Sequence, residues 1–364
     1  MIYLYDPEIT NEDIQSVNNA LKNKWLSGNS PVVKEFENKL ASYLDVKYVS
    51  SCSSGTSGLH LALLGLDIKS GDEVIMPSLS YIATANSVKY IGAKPVFVDV
   101  NYRTWQIDPI KIESAITKKT KAIMPVHLYG GVPNINEINK IARAYNLKVI
   151  HDSAEALGSK YNNKFSTNYH DVSVLSFFPN KIMTTGEGGA VVTNSKKIYS
   201  IVENLKSQGL KNNREYFHSH IGYNYRITAL AAAIGIPQIK RISKNINLKK
   251  EIFNNYKLEL EPLGFQFQEF ENNSNSSYWL TSILVPNQIS KINLKKFLTK
   301  NKIETRNVFY PLHKQPPYIN NKNNQIFRNS EHISNLGLCL PSSPTLTKLE
   351  FDKIVKTIKN FVNK

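Results

Sequence analysis

The feature of the sequence that most constrains the fold is a regular alternation between residues 47 and 194. Short runs of β-branched and apolar residues are separated by longer segments with helical periodicity. This pattern is typical of an α/β sheet with helices on both faces. The predicted strands are KYVSSC, DEVIMP, KPVFVDV, KAIMPV, LKVIHD, VSVLSFF and GAVVTN, and the predicted helix between the first two is GTSGLHLALLGL.

The remainder of the chain predicts a different arrangement. Residues 227–261 indicate long helical structure leading away from the sheet, followed by YWLTSILVP as a strand and by NLKKFLTKN and TKLEFDKIVKTIKNFV as helices. With 364 residues and 41% hydrophobic content, the chain can bury more than one core. The predicted parts are an N-terminal arm at 1–20, a large α/β domain at 21–240 and a small C-terminal α+β domain at 241–364.

The chain is basic, with a formal net charge of +16. Such a charge is compatible with a nucleic acid, a membrane surface or an anionic small molecule as partner. The lysines are spread through amphipathic segments, and the sequence has no arginine-rich arm and no stretch of alternating aromatic and basic residues. We therefore favour a solvated, lysine-rich surface and expect neither a nucleic-acid nor a membrane partner.

Cysteine usage and the start of the chain bear on the compartment. Cys52 and Cys339 are the two cysteines, too few for a disulfide framework or a cysteine-based zinc site. The first residues, MIYLYDPEITNEDIQ, lack a basic leader, and no later segment has the length of a membrane span. We expect a cytoplasmic protein with reduced cysteines, and we predict no metal site.

Lys181 lies within SFFPNKIMTTGEGGAVVTN, between a predicted strand and a glycine cluster. A lysine after a strand is usually a solvated loop residue. Desolvation or a cationic neighbour can instead lower the pKa of the amine, which then becomes a nucleophile toward carbonyl carbons. The choice between these interpretations depends on whether other segments supply residues that bind a cofactor beside the lysine.

Asp152 ends the predicted strand LKVIHD. A carboxylate at the end of a buried strand is costly unless a cation meets it, and a protonated pyridine nitrogen would be such a cation. The alternative is an N-cap for a helix over SAEALGS. The stretch by itself leaves both interpretations open.

The segment SCSSGTSGLHLAL places small hydroxyl residues and glycine at the start of a helix that follows a strand. Free amide groups and the helix dipole favour an anion there. The spacing differs from that of a P-loop, and GEGGA precedes a strand, so it is no dinucleotide fingerprint. A phosphate cradle, an acid for a pyridine nitrogen and a loop lysine together describe a site for pyridoxal 5′-phosphate (PLP).

These segments resemble the DegT/DnrJ/EryC1/StrS family of sugar aminotransferases. The resemblance implies PLP-dependent transferase fold type I, the aspartate aminotransferase-like fold. In that fold a mixed, mostly parallel sheet lies between helices in a large domain, beside a small C-terminal α+β domain. The similar blocks are colinear over nearly the whole chain: KWLSGNSPVVKEFENKLASYL, SSGTSGLHLALLGL, GDEVIMPSLSYIATANSVKYIGAKPVFVDV, VHLYG, DSAEALGS, SFFPNKIMTTGEGGAVVTN, GYNYRIT, FYPLHKQPPY and LPSSPTLT.

The resemblance implies a role for each matching position. Lys181 bonds covalently to PLP and shuttles protons, and Asp152 pairs with the pyridine nitrogen. Glu155 lies near the phenolic oxygen of the ring, on which Tyr81 stacks. His151 stands where relatives commonly have glutamate, and we interpret it as a strand-end residue that does not touch the cofactor. The residues implied to hold the phosphate are Gly55, Thr56, Ser57 and Ser176, with Asn224 reaching the phosphate of the neighbouring subunit of a homodimer.

The resemblance also implies a reaction. L-Glutamate donates its amino group to the C4 ketone of a nucleotide-linked 4-keto-6-deoxyhexose. Several segments are particularly similar to members that convert GDP-4-keto-6-deoxymannose to GDP-perosamine. UDP- or dTDP-4-keto-6-deoxyglucose, giving viosamine-type sugars, is the alternative acceptor. A related branch of 3-dehydratases has histidine in place of the lysine, so Lys181 favours transamination.

Two questions stay open at the level of sequence. The candidate substrate contacts can equally be core or hydrogen-bonding residues of the scaffold; they are Trp25, Arg226, Tyr310 and His313. A non-catalytic, PLP-binding regulator is the alternative of another class, although the joint presence of Lys181, Asp152 and Glu155 argues for an enzyme.

Overall fold

The computed structural model describes residues 1–210, 215–319 and 326–363. The helices are α1 Asn11–Lys22, α2 Pro31–Leu44, α3 Gly55–Gly65, α4 Ile82–Tyr90, α5 Pro109–Glu113, α6 Ile135–Ala144, α7 Lys196–Lys206, α8 Ala229–Ile239, α9 Ile242–Leu260, α10 Lys291–Lys300, α11 Arg328–Leu336 and α12 Lys348–Val362. The strands are β1 Tyr48–Cys52, β2 Glu73–Pro77, β3 Lys94–Val98, β4 Thr120–Ile123, β5 Lys148–Asp152, β6 Lys160–Tyr161, β7 Lys164–Phe165, β8 Val172–Ser176, β9 Gly189–Thr193, β10 Gln266–Phe267, β11 Ser274–Asn275, β12 Ser282–Leu284, β13 Arg306–Asn307 and β14 Gly337–Cys339.

The centre of the molecule is a seven-stranded sheet in the order β1-β9-β8-β5-β4-β2-β3. β9 runs antiparallel to both of its neighbours, and the other pairs are parallel. The predicted mixed, mostly parallel sheet is therefore confirmed. β4 ends at Ile123, before the predicted end at Val126, because Pro125 lacks the amide hydrogen that would continue the ladder.

Helices cover both faces of this sheet, as the alternation predicts. Successive side chains of a strand point to opposite faces, so Val191 packs into the core beneath α3 and α7 while Val192 packs beneath α2 and α8. A third apolar cluster lies under α5 and α6, on the face covered by α2 and α8. Burial on both faces explains why the strands are almost continuously apolar.

The predicted helical segment after residue 226 consists of two helices. The Thr228 hydroxyl caps α8 by accepting a hydrogen bond from the Ala231 amide, and α9 begins three residues after α8 ends. Phe253, Tyr256 and Leu260 of α9 belong to the core of the C-terminal part. There β10, β12, β14 and β13 form an antiparallel sheet, packed with α10 and α12.

The N-terminal residues contact both parts of the molecule. Helix α1 packs against α8, and Ile2 forms a parallel bridge with Ile303 in the C-terminal part. The boundaries at residues 20 and 240 remain predictions. Among residues 1–210, 215–319 and 326–363, no helix combines the length and apolar character needed to cross a bilayer.

Candidate active site

A cavity of about 520 Å³ opens where β5 and β8 end and α3 begins. The carboxyl ends of neighbouring parallel strands meet at one edge of a sheet, which is where α/β proteins place their ligands. Seven of the predicted cofactor residues line this cavity: Gly55, Thr56, Tyr81, Asp152, Glu155, Ser176 and Lys181. Residues that are far apart in the sequence are thus brought to one place.

Lys181 lies in a tight turn after β8. Its amide donates to the Phe178 carbonyl at 2.9 Å, and the Trp279 indole donates to the Asn180 carbonyl at 2.6 Å. The lysine side chain is only 11% exposed, and Nζ lies 3.7 Å from the centroid of the Trp279 ring. The interpretation of Lys181 as a solvated loop residue is therefore wrong.

Burial and charge set the protonation of this lysine. Burial lowers the pKa of Lys181 and the Arg306 cation lowers it further, whereas Glu155 and Asp152 oppose the shift. Glu155 Oε1 lies 3.9 Å from Lys181 Nζ, and burial raises the Glu155 pKa to about 7. Both members of the pair are shifted toward their neutral forms, and a neutral amine is the nucleophilic form of lysine.

Glu155→Gln is expected to change how the stability of the cofactor-free protein depends on pH. Because the folded-state pKa of Glu155 is raised, the folded protein holds a proton that the unfolded chain releases near pH 4.5. The stabilisation is complete below that pH and is lost as the pH rises through about 7. The free energy of unfolding of the wild type should therefore fall relative to Glu155→Gln over this interval. Denaturant titrations of both proteins would measure it, and parallel curves would contradict the shift.

Asp152 is anchored at the end of β5. Its Oδ2 accepts a hydrogen bond from the Thr84 hydroxyl at 2.7 Å, and its Oδ1 accepts one from the Ala154 amide at 3.2 Å. No helix follows Asp152, since residues 153–159 contain only the turns at 154–155 and 157–158, so the N-cap alternative is wrong. Burial raises the Asp152 pKa, an effect that an approaching cation would reverse.

The start of α3 forms a cradle beside β8. Ser54 is the N-cap, its hydroxyl accepts from the Ser57 amide, and the first helical hydrogen bond runs from Gly58 to Ser54. The amides of Gly55 and Thr56 precede that bond and therefore have no partner within the helix. A Cβ on Gly55 would lie 3.0 Å from Cβ of Ser176, so glycine is needed to keep the space beside this hydroxyl.

Two predicted phosphate residues lie outside the cavity lining. Ser57 is buried in the α3 cap, where its hydroxyl donates to the Ser54 carbonyl at 2.8 Å. Asn224 is exposed and pairs in an isolated bridge with Ser207. Their roles toward phosphate remain predictions.

The four candidate substrate contacts also lie outside the lining of the cavity. Trp25 packs against the core beneath α2 and α8, and Tyr310 is 54% exposed. Arg226 lies against Gly28, where an added Cβ would meet its Cβ at 2.7 Å. The His313 ring is hydrogen-bonded to Ser78 at 2.6 Å and to Glu331 at 3.1 Å. The roles of these four residues toward substrate remain predictions.

The structure adds residues to the site that sequence reasoning missed. Trp279, Arg306 and Phe309 line the cavity from the C-terminal part. The rings of Trp279 and Phe309 both stack with Tyr129, at centroid distances of 5.8 and 5.4 Å. No periodicity or spacing connects these residues to Lys181. Only the resemblance of the FYPLHKQPPY block, which begins with Phe309, could have pointed toward one of them. His151 is buried and absent from the lining, in accord with its interpretation.

Comparison with known proteins places this site in a family. The model of the DegT/DnrJ/EryC1/StrS aminotransferase family matches residues 7–359. The chain belongs to this family. Membership agrees with the position of the buried lysine, the strand-end aspartate and the helix start around one cavity.

Three relatives illustrate the range of the family. GDP-perosamine synthase from Escherichia coli O157:H7 is 43% identical over 360 residues, covering 99% of this chain and 98% of its own. dTDP-4-amino-4,6-dideoxy-D-glucose transaminase from Shigella dysenteriae is 34% identical, covering 93% and 92%. The PLP form of the putative sugar aminotransferase Spr1654 from Streptococcus pneumoniae superimposes with a TM-score of 0.92 at 26% identity, covering 99% and 98%.

Proposed function

We propose that this aminotransferase uses PLP to move the amino group of L-glutamate to the C4 ketone of a nucleotide-linked 4-keto-6-deoxyhexose. The observation that carries the proposal is Lys181, whose side chain is only 11% exposed, in the same cavity as Asp152. GDP-4-keto-6-deoxymannose is the proposed acceptor, and GDP-perosamine is the product. The alternative acceptors are UDP- and dTDP-4-keto-6-deoxyglucose.

The residues around the cavity fit PLP. The Gly55 and Thr56 amides and the Ser176 hydroxyl suit a phosphate, and the Asp152 carboxylate suits a protonated pyridine nitrogen. Tyr81 offers an aromatic ring at the same cavity. When bound, PLP supplies an electron sink for the carbon that loses its proton.

Lys181 is the residue that accepts and donates the transferred protons. As a neutral amine, its Nζ takes the α-proton of L-glutamate in the first half-reaction and delivers a proton to C4 of the sugar in the second. The Asp152 carboxylate maintains a negative charge at the inner end of the cavity, where burial strengthens its field. Trp279 covers the lysine on the C-terminal side, and Phe309 lines the same cavity, so both apolar rings limit access of water.

The nucleotide and the sugar are proposed from similarity. The Escherichia coli GDP-perosamine synthase is more similar to this chain than the dTDP-sugar transaminase is, at 43% against 34% identity. Both alignments cover more than nine-tenths of the chain, so the two identities refer to nearly the same length of sequence. This comparison favours the GDP-linked acceptor.

The experiment that tests the proposal follows the visible absorbance of lysine-bound PLP in the purified protein. L-Glutamate should remove the band, and addition of GDP-4-keto-6-deoxymannose should restore it. The UDP- and dTDP-linked 4-keto-6-deoxyglucoses, added separately, should restore it poorly. A band that glutamate cannot shift would favour a non-catalytic regulator, and restoration by only a UDP or dTDP sugar would change the substrate assignment.

We further propose a homodimer in which Asn224 reaches the phosphate site of the partner. Asn224 is exposed and lies outside the lining of its own cavity, as such a role requires. Asn224→Ala and Lys181→Ala should each be inactive alone. After the two variants are unfolded and refolded together, mixed dimers should regain activity, because one of their two sites has both residues intact.

The outcome is read against simple mixing without refolding and against refolding of each variant alone. Full activity of Asn224→Ala, or a monomer by light scattering, would contradict the shared site. Neither result would affect the assignment of Lys181.

A further inference from the structure

Three histidines form a cluster outside the cavity, in which His127 and His151 are buried and His170 is half-buried. His127 follows β4, His151 lies in β5 and His170 precedes β8. One ring nitrogen from each lies within 4.8 Å of the other two. Because side chains alternate along a strand, His151 points away from the cavity that its neighbour Asp152 lines.

Most of the polar atoms in this cluster lack a partner. His127 Nε2 and His151 Nδ1 are in hydrogen-bond contact with each other, and the remaining four of the six ring nitrogens are buried without a hydrogen bond. The Ser166 carbonyl lies near His170, but it makes no well-formed bond with that ring. Buried unpaired donors and acceptors are costly, so such a concentration of them calls for an absent ligand.

The arrangement suits a divalent transition metal. Zinc binds imidazole nitrogen at about 2.0–2.1 Å, which places two ligand nitrogens about 3.4 Å apart in a tetrahedral site. The three histidine nitrogens lie within 4.8 Å of one another. The His151 and His170 rings are stacked with their centroids 2.9 Å apart, so these two rings must turn out of the stack for both nitrogens to face one ion. All three rings are kept neutral by burial, and neutral imidazole is the metal-binding form.

The lack of a negatively charged ligand in the cluster does not exclude a bound Zn²⁺ ion. The cluster contains no carboxylate among the described residues that could ligate it, but three neutral histidines with a fourth, water-derived ligand form a known type of zinc site. The Ser166 hydroxyl is also buried and without a partner, and its backbone lies beside His170. It offers an oxygen for the ion or for its water.

We propose that His127, His151 and His170 bind one Zn²⁺ ion per chain. The ion links the end of β4, the strand β5 and the loop before β8, which are the segments that carry Asp152 and lead into β8. Its role is structural, since none of the three histidines lines the cavity. The cysteine count could not predict this site, because its ligands are histidines that the sequence separates by 24 and 19 residues.

The test uses the untagged protein with its cofactor bound, so that no affinity tag competes for metal. The protein is incubated with zinc sulfate, freed of unbound zinc by desalting and analysed by elemental mass spectrometry. We expect about one zinc per chain for the wild type, as for a three-histidine site. Added Zn²⁺ should also raise the melting temperature of the chelator-treated wild type, since an ion that binds only the folded state stabilises it.

The variants His127→Ala, His151→Ala and His170→Ala should each lose the bound zinc and the shift in melting temperature. His60→Ala is the matched control, because His60 is also buried but pairs with Tyr225 on the other side of the sheet. It should retain the zinc. Wild-type protein that holds no zinc and shows no shift would overturn the proposal even if the variants fail to fold, as would zinc retained by all three cluster variants.

Discussion

Replacing Lys181 with alanine is expected to abolish glutamate-dependent amination while the protein stays folded. The side chain supplies the only amine that lines the cavity among the described residues. Without it, activity should fall by about three powers of ten or more, because both the nucleophile and the proton carrier are lost. The hydrogen bonds of the Lys181 main chain remain in the variant: its amide donates to the Phe178 carbonyl, and its carbonyl accepts from the Tyr5 hydroxyl.

Two further variants distinguish the loss of the reactive amine from the loss of any buried lysine. Lys181→Arg keeps a positive charge but has no deprotonated form near neutral pH, so it should be as inactive as alanine. Lys249 is a fully buried lysine that does not line the cavity, and it donates to the carbonyls of Trp279 and Ser342. Lys249→Met should lower the melting temperature yet keep the visible band of lysine-bound PLP. Appreciable amination by Lys181→Ala would disprove the role of Lys181.

Asp152→Asn is expected to retain the fold and to lose about two powers of ten or more in turnover. An amide fills the same space, and its oxygen can still accept the hydrogen bond from Thr84, although the bond from the Ala154 amide to Oδ1 is then lost. It carries no charge to hold a proton on the pyridine nitrogen while negative charge develops on the reacting carbon. The rate of the glutamate half-reaction, followed by the loss of the visible band, measures the effect directly.

Thr84→Val is the companion to this variant. It removes the hydroxyl that donates to Asp152 Oδ2 at 2.7 Å but leaves the carboxylate in place. The expected loss is smaller, about tenfold, because a single hydrogen bond to a charged group is lost. If Asp152→Asn reacted as fast as the wild type, the aspartate would serve only the turn that it forms with Ala154.

The sequence predicted the central sheet well because its signals are local. Each predicted strand of the large domain exists, and the helix after the first strand spans Gly55–Gly65. In contrast, YWLTSILVP forms only the three-residue strand Ser282–Leu284, since short antiparallel pairings in the C-terminal part depend on distant partners. The ends of such a strand cannot be predicted from its own sequence.

In the candidate site, too, some features could be predicted from local sequence and others depend on distant partners. Lys181, Asp152 and the start of α3 could be chosen from their residue types and their positions after strands, because the ends of parallel strands converge at one edge of a sheet. The burial of Lys181 could not, since it results from the C-terminal part covering the loop with Trp279. The sequence also could not exclude a helix cap at Asp152, because that depends on the turns that follow β5.

The sequence by itself thus determined the α/β architecture and the residues that carry the proposed chemistry. Only the tertiary structure decided that Trp279, Arg306 and Phe309 join the cavity and that three distant histidines meet behind it. Periodicity and capping depend on neighbours within a few residues, whereas a pKa shift or a ligand set depends on which side chains are packed together. The packing of the two parts of this chain makes those contacts, and no local pattern encodes them.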